Sequence, residues 1–117
     1  MSAKPRSTPA PGGTVRGSQT GRPVMALLDL LGRRWALRVI WELRDGPQTF
    51  RALQAACGGA SSSVLSQRLA ELRGAGALDA GTDGYTLTPE GRELLAIYGP
   101  LEAWATRWDA RTRRSRA

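Results

Sequence analysis

Apolar residues recur at spacings of three and four from Val24 onward, and nothing before that point shows either helical or strand periodicity. Val24, Leu27, Leu28 and Leu31 form one helical stripe; Pro23 suits the first turn and Gly32 ends it. A second helix is predicted over 34–44, with Trp35, Val39, Ile40 and Leu43 on one face and Asp45-Gly46-Pro47 as the stop. Trp35 reads as core, whereas Trp41 lies off the stripe and is expected to be partly exposed or set against a partner. Thr49 can cap a third, short helix whose apolar face is Phe50, Leu53 and Ala56. After the turn Cys57-Gly58-Gly59, Ser61 can cap a fourth helix to about Ala75, with Leu65, Leu69 and Leu72 as its buried stripe.

The period then changes. Ala77–Ala80 and Tyr85–Leu87 are short extended runs, and Gly81-Thr82-Asp83-Gly84 between them is a hairpin signal. Thr88-Pro89-Glu90 opens another helix carrying Leu94, Leu95 and Ile97. Gly99-Pro100 is expected to break it, and a last helix carries Leu101, Trp104 and Trp108. The fold class is therefore mainly α with a small β-hairpin. One domain is expected over 22–110, flanked by a disordered arm over 1–21 and a frayed basic tail over 111–117.

Composition narrows the chemistry. The chain has 117 residues, one cysteine and no histidine, so it has no intrachain disulfide and lacks the nitrogen and sulfur ligands of a typical zinc site. No cofactor signature, phosphate-binding glycine loop or serine nucleophile with a nearby base is present, which argues against an enzyme. No apolar run reaches the roughly 20 residues of a membrane helix and no signal-peptide core is seen, so the cytoplasm is the expected compartment. Net charge is +7. Lys4, Arg6, Arg16 and Arg22 stand among residues 1–22 without an acid, and Arg107, Arg111, Arg113, Arg114 and Arg116 outnumber Glu102 and Asp109 after Pro100. Such a surface suits a polyanion, but equally a solubilising excess.

The order of elements identifies the function class. Two helices joined by a glycine turn and followed by a hairpin make a winged helix-turn-helix, whose second helix enters the major groove of double-stranded DNA. With Leu65, Leu69 and Leu72 buried, Ser62, Ser63, Ser66 and Gln67 face outward and can approach base edges and phosphates. Ser61 and Thr49 sit at helix starts, where backbone N–H groups suit phosphate. Arg51, Arg73 and, at the wing tip, Thr82 complete the candidate DNA contacts. Arg68 is either a phosphate contact or an intramolecular partner of Glu71 or Glu42. The serines also have a plainer reading, as caps and helix-start residues.

Asp29-Leu30-Leu31-Gly32-Arg33-Arg34-Trp35, Leu43-Arg44-Asp45-Gly46-Pro47 with Phe50 and Leu53, Val64-Leu65-Ser66-Gln67-Arg68-Leu69 with Leu72, and Tyr85-Thr86-Leu87-Thr88 with Gly91 together resemble the HxlR family of regulators, over about residues 22–109. The resemblance implies a homodimer joined through N- and C-terminal helices, and binding to an inverted-repeat operator. Leu27, Leu28, Leu101, Trp104 and Trp108 are the candidate dimer contacts; packing within the monomer is the alternative for the tryptophans. Family members that sense oxidants or electrophiles do so through a cysteine before the first helix, where this chain has Arg22. Cys57 reads as a small buried residue. The wing is short and has no Arg or Lys, so the basic arm is a candidate substitute for its DNA contact. No small-molecule effector is named by the sequence. The competing function is a winged-helix protein–protein module without specific DNA readout.

Overall fold

The computed structural model describes residues 22–116. It contains α1 (Pro23–Leu31), α2 (Ala36–Glu42), α3 (Phe50–Cys57), α4 (Ser62–Gly74), β1 (Leu78–Gly81), β2 (Gly84–Leu87) and α5 (Pro89–Arg116). The proposed arm over 1–21 lies outside the described residues.

The core forms where the apolar stripes of the first four helices meet the hairpin. Leu30, Val39, Ile40, Leu43, Leu53, Leu65, Leu69, Leu72, Leu78 and Leu87 are all buried together. Each fully buried aliphatic side chain contributes about 1.5–3 kcal/mol. The stripe of α1 is phased differently from the sequence expectation: Ala26 and Leu30 turn inward, while Val24 and Leu28 remain 45% and 57% exposed. Leu31 of the expected stripe packs partly buried against the core, so Val24 and Leu28 are the large residues of α1 that face outward.

α2 starts two residues later than expected, because Trp35 adopts a left-handed backbone (φ 76°) and forms the N-cap. For a bulky residue this costs about 1–2 kcal/mol. It is held there by its half-buried ring packed on the core and by Arg34, whose guanidinium carbon lies 5.2 Å from the ring centroid. Trp41 is half-buried within its own chain: Tyr98 of α5 stacks on it at 4.8 Å, and Arg44 covers it at 4.0 Å.

α3 and α4 are capped as the sequence predicts. Thr49 Oγ1 accepts from the Ala52 N–H and Ser61 Oγ from the Val64 N–H. The turn between them needs its glycines, with φ of 47° at Gly58 and 126° at Gly59. The hairpin is tighter than the expected four-residue loop. Gly81 pairs with Gly84, leaving Thr82 and Asp83 as the whole tip. Gln48, just before α3, exchanges two backbone hydrogen bonds with Tyr85, which ties the wing to the start of the helix-turn-helix.

α5 corrects two expectations. It passes through Gly99 and Pro100 without ending, and it includes 111–116 rather than fraying at 110. Proline removes one helical N–H and leaves the carbonyl four residues back without its donor. Here that carbonyl belongs to Ala96, an exposed residue, so water can satisfy it. The start of α5 is fixed by Thr88, whose Oγ1 donates to the Gly76 carbonyl and accepts from the Gly91 N–H. Gly91 is buried against Ala77, and a Cβ there would overlap the Ala77 carbonyl oxygen. Gly91→Ala should therefore destabilise the fold by about 1–3 kcal/mol through overpacking, despite alanine's better helix propensity; urea unfolding measures it, and an unchanged midpoint contradicts this packing.

Candidate nucleic-acid interface

The N-terminal half of α4 is the candidate reading surface. Ser61, Ser62, Ser63 and Ser66 are exposed and Gln67 is half-buried; no acid stands in the first turn. The two ends of the motif are cross-braced: Gln54 of α3 donates from Nε2 to Ser62 Oγ at 3.1 Å. Ser61 and Ser63 hydroxyls lie 3.4 Å apart. Caps and candidate contacts are therefore the same residues. Ser61 serves the helix through one N–H and leaves the earlier N–H groups of the first turn pointing outward.

Arg51 is exposed on α3, close in sequence to the Thr49 cap, and it has no acidic partner among the described residues. Arg73 is likewise exposed and unpaired among the described residues, but it sits in the last turn of α4, about 16 Å along the axis from Ser62. Thr82 is exposed at the wing tip beside Asp83. Thr49 stands beside the wing, where Gly84, two residues after Thr82, packs against Gln48 and the Thr49 backbone nitrogen; Ser61–Gln67 occupy the start of α4, and Arg73 lies at that helix's far end.

Arg68 takes the intramolecular alternative. Its Nη1 lies 3.1 Å from Glu71 Oε1 and its Nε donates to the Arg34 carbonyl at 2.8 Å, with 11% of the side chain exposed. It is committed inside the molecule and does not reach toward a phosphate. The other Glu71 oxygen lies 2.7 Å from Nη1 of Arg33, whose Nη2 binds Asp29 at 2.9 Å. Asp29, Arg33, Glu71 and Arg68 form one ion network joining α1, the turn before α2, and α4. From sequence, Glu71 is no more than a candidate partner of Arg68, and Arg33 and Gln54 have no assigned role. The i, i+4 spacing of Asp29 and Arg33 is the available signal; the contact from Arg33 to Glu71 spans the fold and leaves no local trace.

A second surface is apolar. Along α5, residues 94, 97, 101, 104, 108 and 111 repeat at three and four, the spacing of a helix–helix seam. Ile97, Leu101, Trp104 and Trp108 are 49–59% exposed on it. The Trp104 and Trp108 rings stack at 6.1 Å, and Arg111 lies 5.7 Å from the Trp104 ring centroid. Val24 and Leu28 of α1 are similarly exposed, and Leu27 is half-buried. Single exposed apolar residues are ordinary; contiguous large ones mark a binding surface.

Cys57 is 3% exposed and belongs to the core. Burial pushes its thiol pKa up, with Arg38 opposing, so its surroundings disfavour the reactive thiolate.

The family model described as HxlR-like helix-turn-helix matches residues 30–113. The HTH-type transcriptional regulator YvaP of Bacillus subtilis is 34% identical over 88 residues, covering 69% of this chain and 82% of its own. YodB of the same organism, also an HTH-type transcriptional regulator, is 32% identical over 83 residues, covering 65% of this chain and 74% of its own. The crystal structure of quinone-bound YodB superposes with a TM-score of 0.68 at 32% identity, over 72% of this chain and 96% of that one. A possible HxlR family factor from Thermoplasma volcanium gives 0.65 at 28% identity, over 71% and 81%.

The ion network predicts its own test. Arg33→Met strips a partner from a carboxylate that is almost fully buried. It should cost about 3–5 kcal/mol in chemical denaturation; a loss within about 0.5 kcal/mol would show that Glu71 does not depend on Arg33.

Proposed function

The chain belongs to the HxlR-like helix-turn-helix family of transcriptional regulators, and we propose that it acts as a homodimer that reads an inverted-repeat operator and represses by occupying it. The observation that carries this reading is the acid-free, small-residue N-terminal half of α4 standing opposite a fully buried leucine stripe. Ser62, Ser63, Ser66 and Gln67 are the proposed base-edge and phosphate contacts, with the helix start at Ser61 favouring an anion. Thr49 and Arg51, at the start of α3, are the proposed contacts to the phosphate backbone, and Arg73 and Thr82 make peripheral contacts. Occupying a promoter excludes polymerase and requires nothing beyond binding.

The dimer is proposed to form through the outward faces of α1 and α5. Leu27, Leu28, Leu101, Trp104 and Trp108 supply the large apolar area that a stable interface needs. An isologous dimer presents two α4 helices related by a two-fold axis, which matches an inverted repeat. Half-sites should then lie about 34–36 Å apart. A protein that works on DNA in this way belongs in the cytoplasm. The relative YodB has been crystallised with a quinone bound. By its resemblance to the family, this chain has Arg22 where a sensing cysteine would stand, and its one cysteine, Cys57, is buried, so no thiol-based quinone response is proposed for it.

A protein–protein role is the second reading, favoured by the acid Asp83 at the wing tip and by the committed Arg68. Gel-shift assays with operator and nonspecific DNA at low salt separate the two. Operator binding with a steep salt dependence is expected; no shift at any salt concentration refutes the DNA reading. Arg51→Ala should weaken binding to all sequences alike and reduce the salt slope by about 1. Trp104→Glu should convert a dimer to a monomer in size-exclusion chromatography and abolish operator binding. An unchanged elution volume with full affinity removes α5 from the interface.

A further inference from the structure

Gln67 is the longest uncharged polar side chain on the outward half of α4, and its amide is held. Nε2 donates to Glu71 Oε2 at 3.4 Å. Glu71 lies one turn further along the same helix, is 4% exposed, and is fixed from two sides by Arg33 at 2.7 Å and Arg68 at 3.1 Å. A carboxylate oxygen only accepts. The face of the amide toward Glu71 is therefore the NH2 group, since the reversed amide would set Oε1 against Oε2, lone pair against lone pair. Oε1 consequently turns away from Glu71. An amide nitrogen carries two protons, so one can serve Glu71 while the other stays beside Oε1.

What the helix then displays is an acceptor with a donor next to it. In the major groove, adenine presents the matching pair, an N6 donor and an N7 acceptor. Guanine presents two acceptors and thymine one acceptor with a methyl group, so both place a lone pair against Oε1. Cytosine satisfies Oε1 alone through N4. A glutamine free to turn over would lose this discrimination, because its NH2 could donate to guanine or thymine instead.

We propose that Glu71 is a positioning residue for base readout: it fixes the Gln67 amide so that α4 selects adenine and rejects guanine at one position of each half-site. This rests on the DNA-reading function proposed above. Two features make Glu71 suited to it. Its charge is balanced by two guanidinium groups, so it does not depend on Gln67 for its own place. And through Arg33 it is tied to Asp29 on α1, so the amide is referenced to the body of the domain and not to α4 alone.

Selection of bound sequences from random DNA, with the full chain, tests this. The wild type should prefer adenine over guanine by about tenfold or more at one position. Gln67→Ala should lose the preference there and keep it elsewhere. Glu71→Gln lets the residue-71 amide accept or donate, so Gln67 can turn over; adenine and guanine should then come within about threefold at that one position. A purely structural role for Glu71 would instead lower affinity for every sequence and leave the preference intact, and that result overturns the proposal. Because Glu71→Gln can unfold the chain, the wild-type protein carries a second measurement. NMR of the free protein should show one Gln67 side-chain amide proton displaced downfield and protected from exchange, with Gln67→Ala identifying the signal. A pair of shifts like those of a solvent-exposed glutamine overturns the proposal as well. An operator motif that ignores Gln67→Ala overturns this inference alone; binding with no selected motif at all overturns the specific DNA-reading function, and this inference with it.

Discussion

The carboxylate of Glu71 sits between two guanidinium groups in a nearly dry position, and the arrangement of α4 depends on it. Removing a carboxylate from water costs several kcal/mol, and only well-placed opposite charges offset that. Arg68 comes from the same helix and is available wherever α4 goes. Arg33 does not: it comes from the turn after α1 and is itself braced by Asp29. The pair to Arg33 therefore favours one placement of α4 against α1 far more strictly than leucine packing does, since apolar contacts tolerate small slides and a buried ion pair does not. The left-handed Trp35 lies in the same turn, and its neighbour Arg34 supplies the carbonyl that Arg68 binds. The backbone cost at Trp35 is thus met by contacts that converge on the same place.

This arrangement gives α1 two different faces. Ala26 and Leu30 pack on the core, and the small Ala26 lets the helix lie close. Val24 and Leu28 point away from it and stay exposed in the monomer. α5 is divided along its length in a similar manner. Its first part is anchored by the buried Gly91, the Thr88 cap and the Trp41–Tyr98 stack. Beyond Tyr98, nearly every residue is exposed, and the apolar seam through Leu101, Trp104 and Trp108 has little from the described residues against it. A long helix half outside its domain gains little from its own fold, so its apolar seam makes physical sense when a second surface covers it.

Much of this is legible in the sequence, and the misses have physical causes. The existence and order of α1 to α4 and the hairpin follow from periodicity, and the caps Thr49, Ser61 and Thr88 from residue type, because both signals are local. The phase of α1 differs because periodicity assigns Val24 and Leu28 to the core, whereas the core takes the small Ala26 beside Leu30 and leaves those two facing out. The cost of proline in a helix predicts a break at Pro100, but that cost falls where the orphaned carbonyl can reach water. The serine face of α4 is recognisable from the wheel of the helix. The ion network that binds Glu71 and removes Arg68 from the surface is not, since it pairs residues 38 positions apart, Arg33 with Glu71.

In the proposed mode, so small a reading surface must still achieve affinity. The tip of the wing offers Thr82 and Asp83 and no cation, and Arg68 is turned inward. Arg51 and Arg73 are then the exposed cations on the motif helices without an acidic partner among the described residues. Few phosphate contacts per domain mean weak binding for one copy, because phosphate neutralisation supplies most of the nonspecific affinity. Joining two copies makes the second half-site encounter intramolecular and raises affinity without adding a contact to either domain. In that mode the short serine side chains carry little binding energy but constrain which sequence can approach closely. In the proposed mode, the exposed tryptophans of α5 and the serines of α4 are therefore linked by need: a reading helix this sparing in charge works only when the apolar seam has brought a second one alongside it.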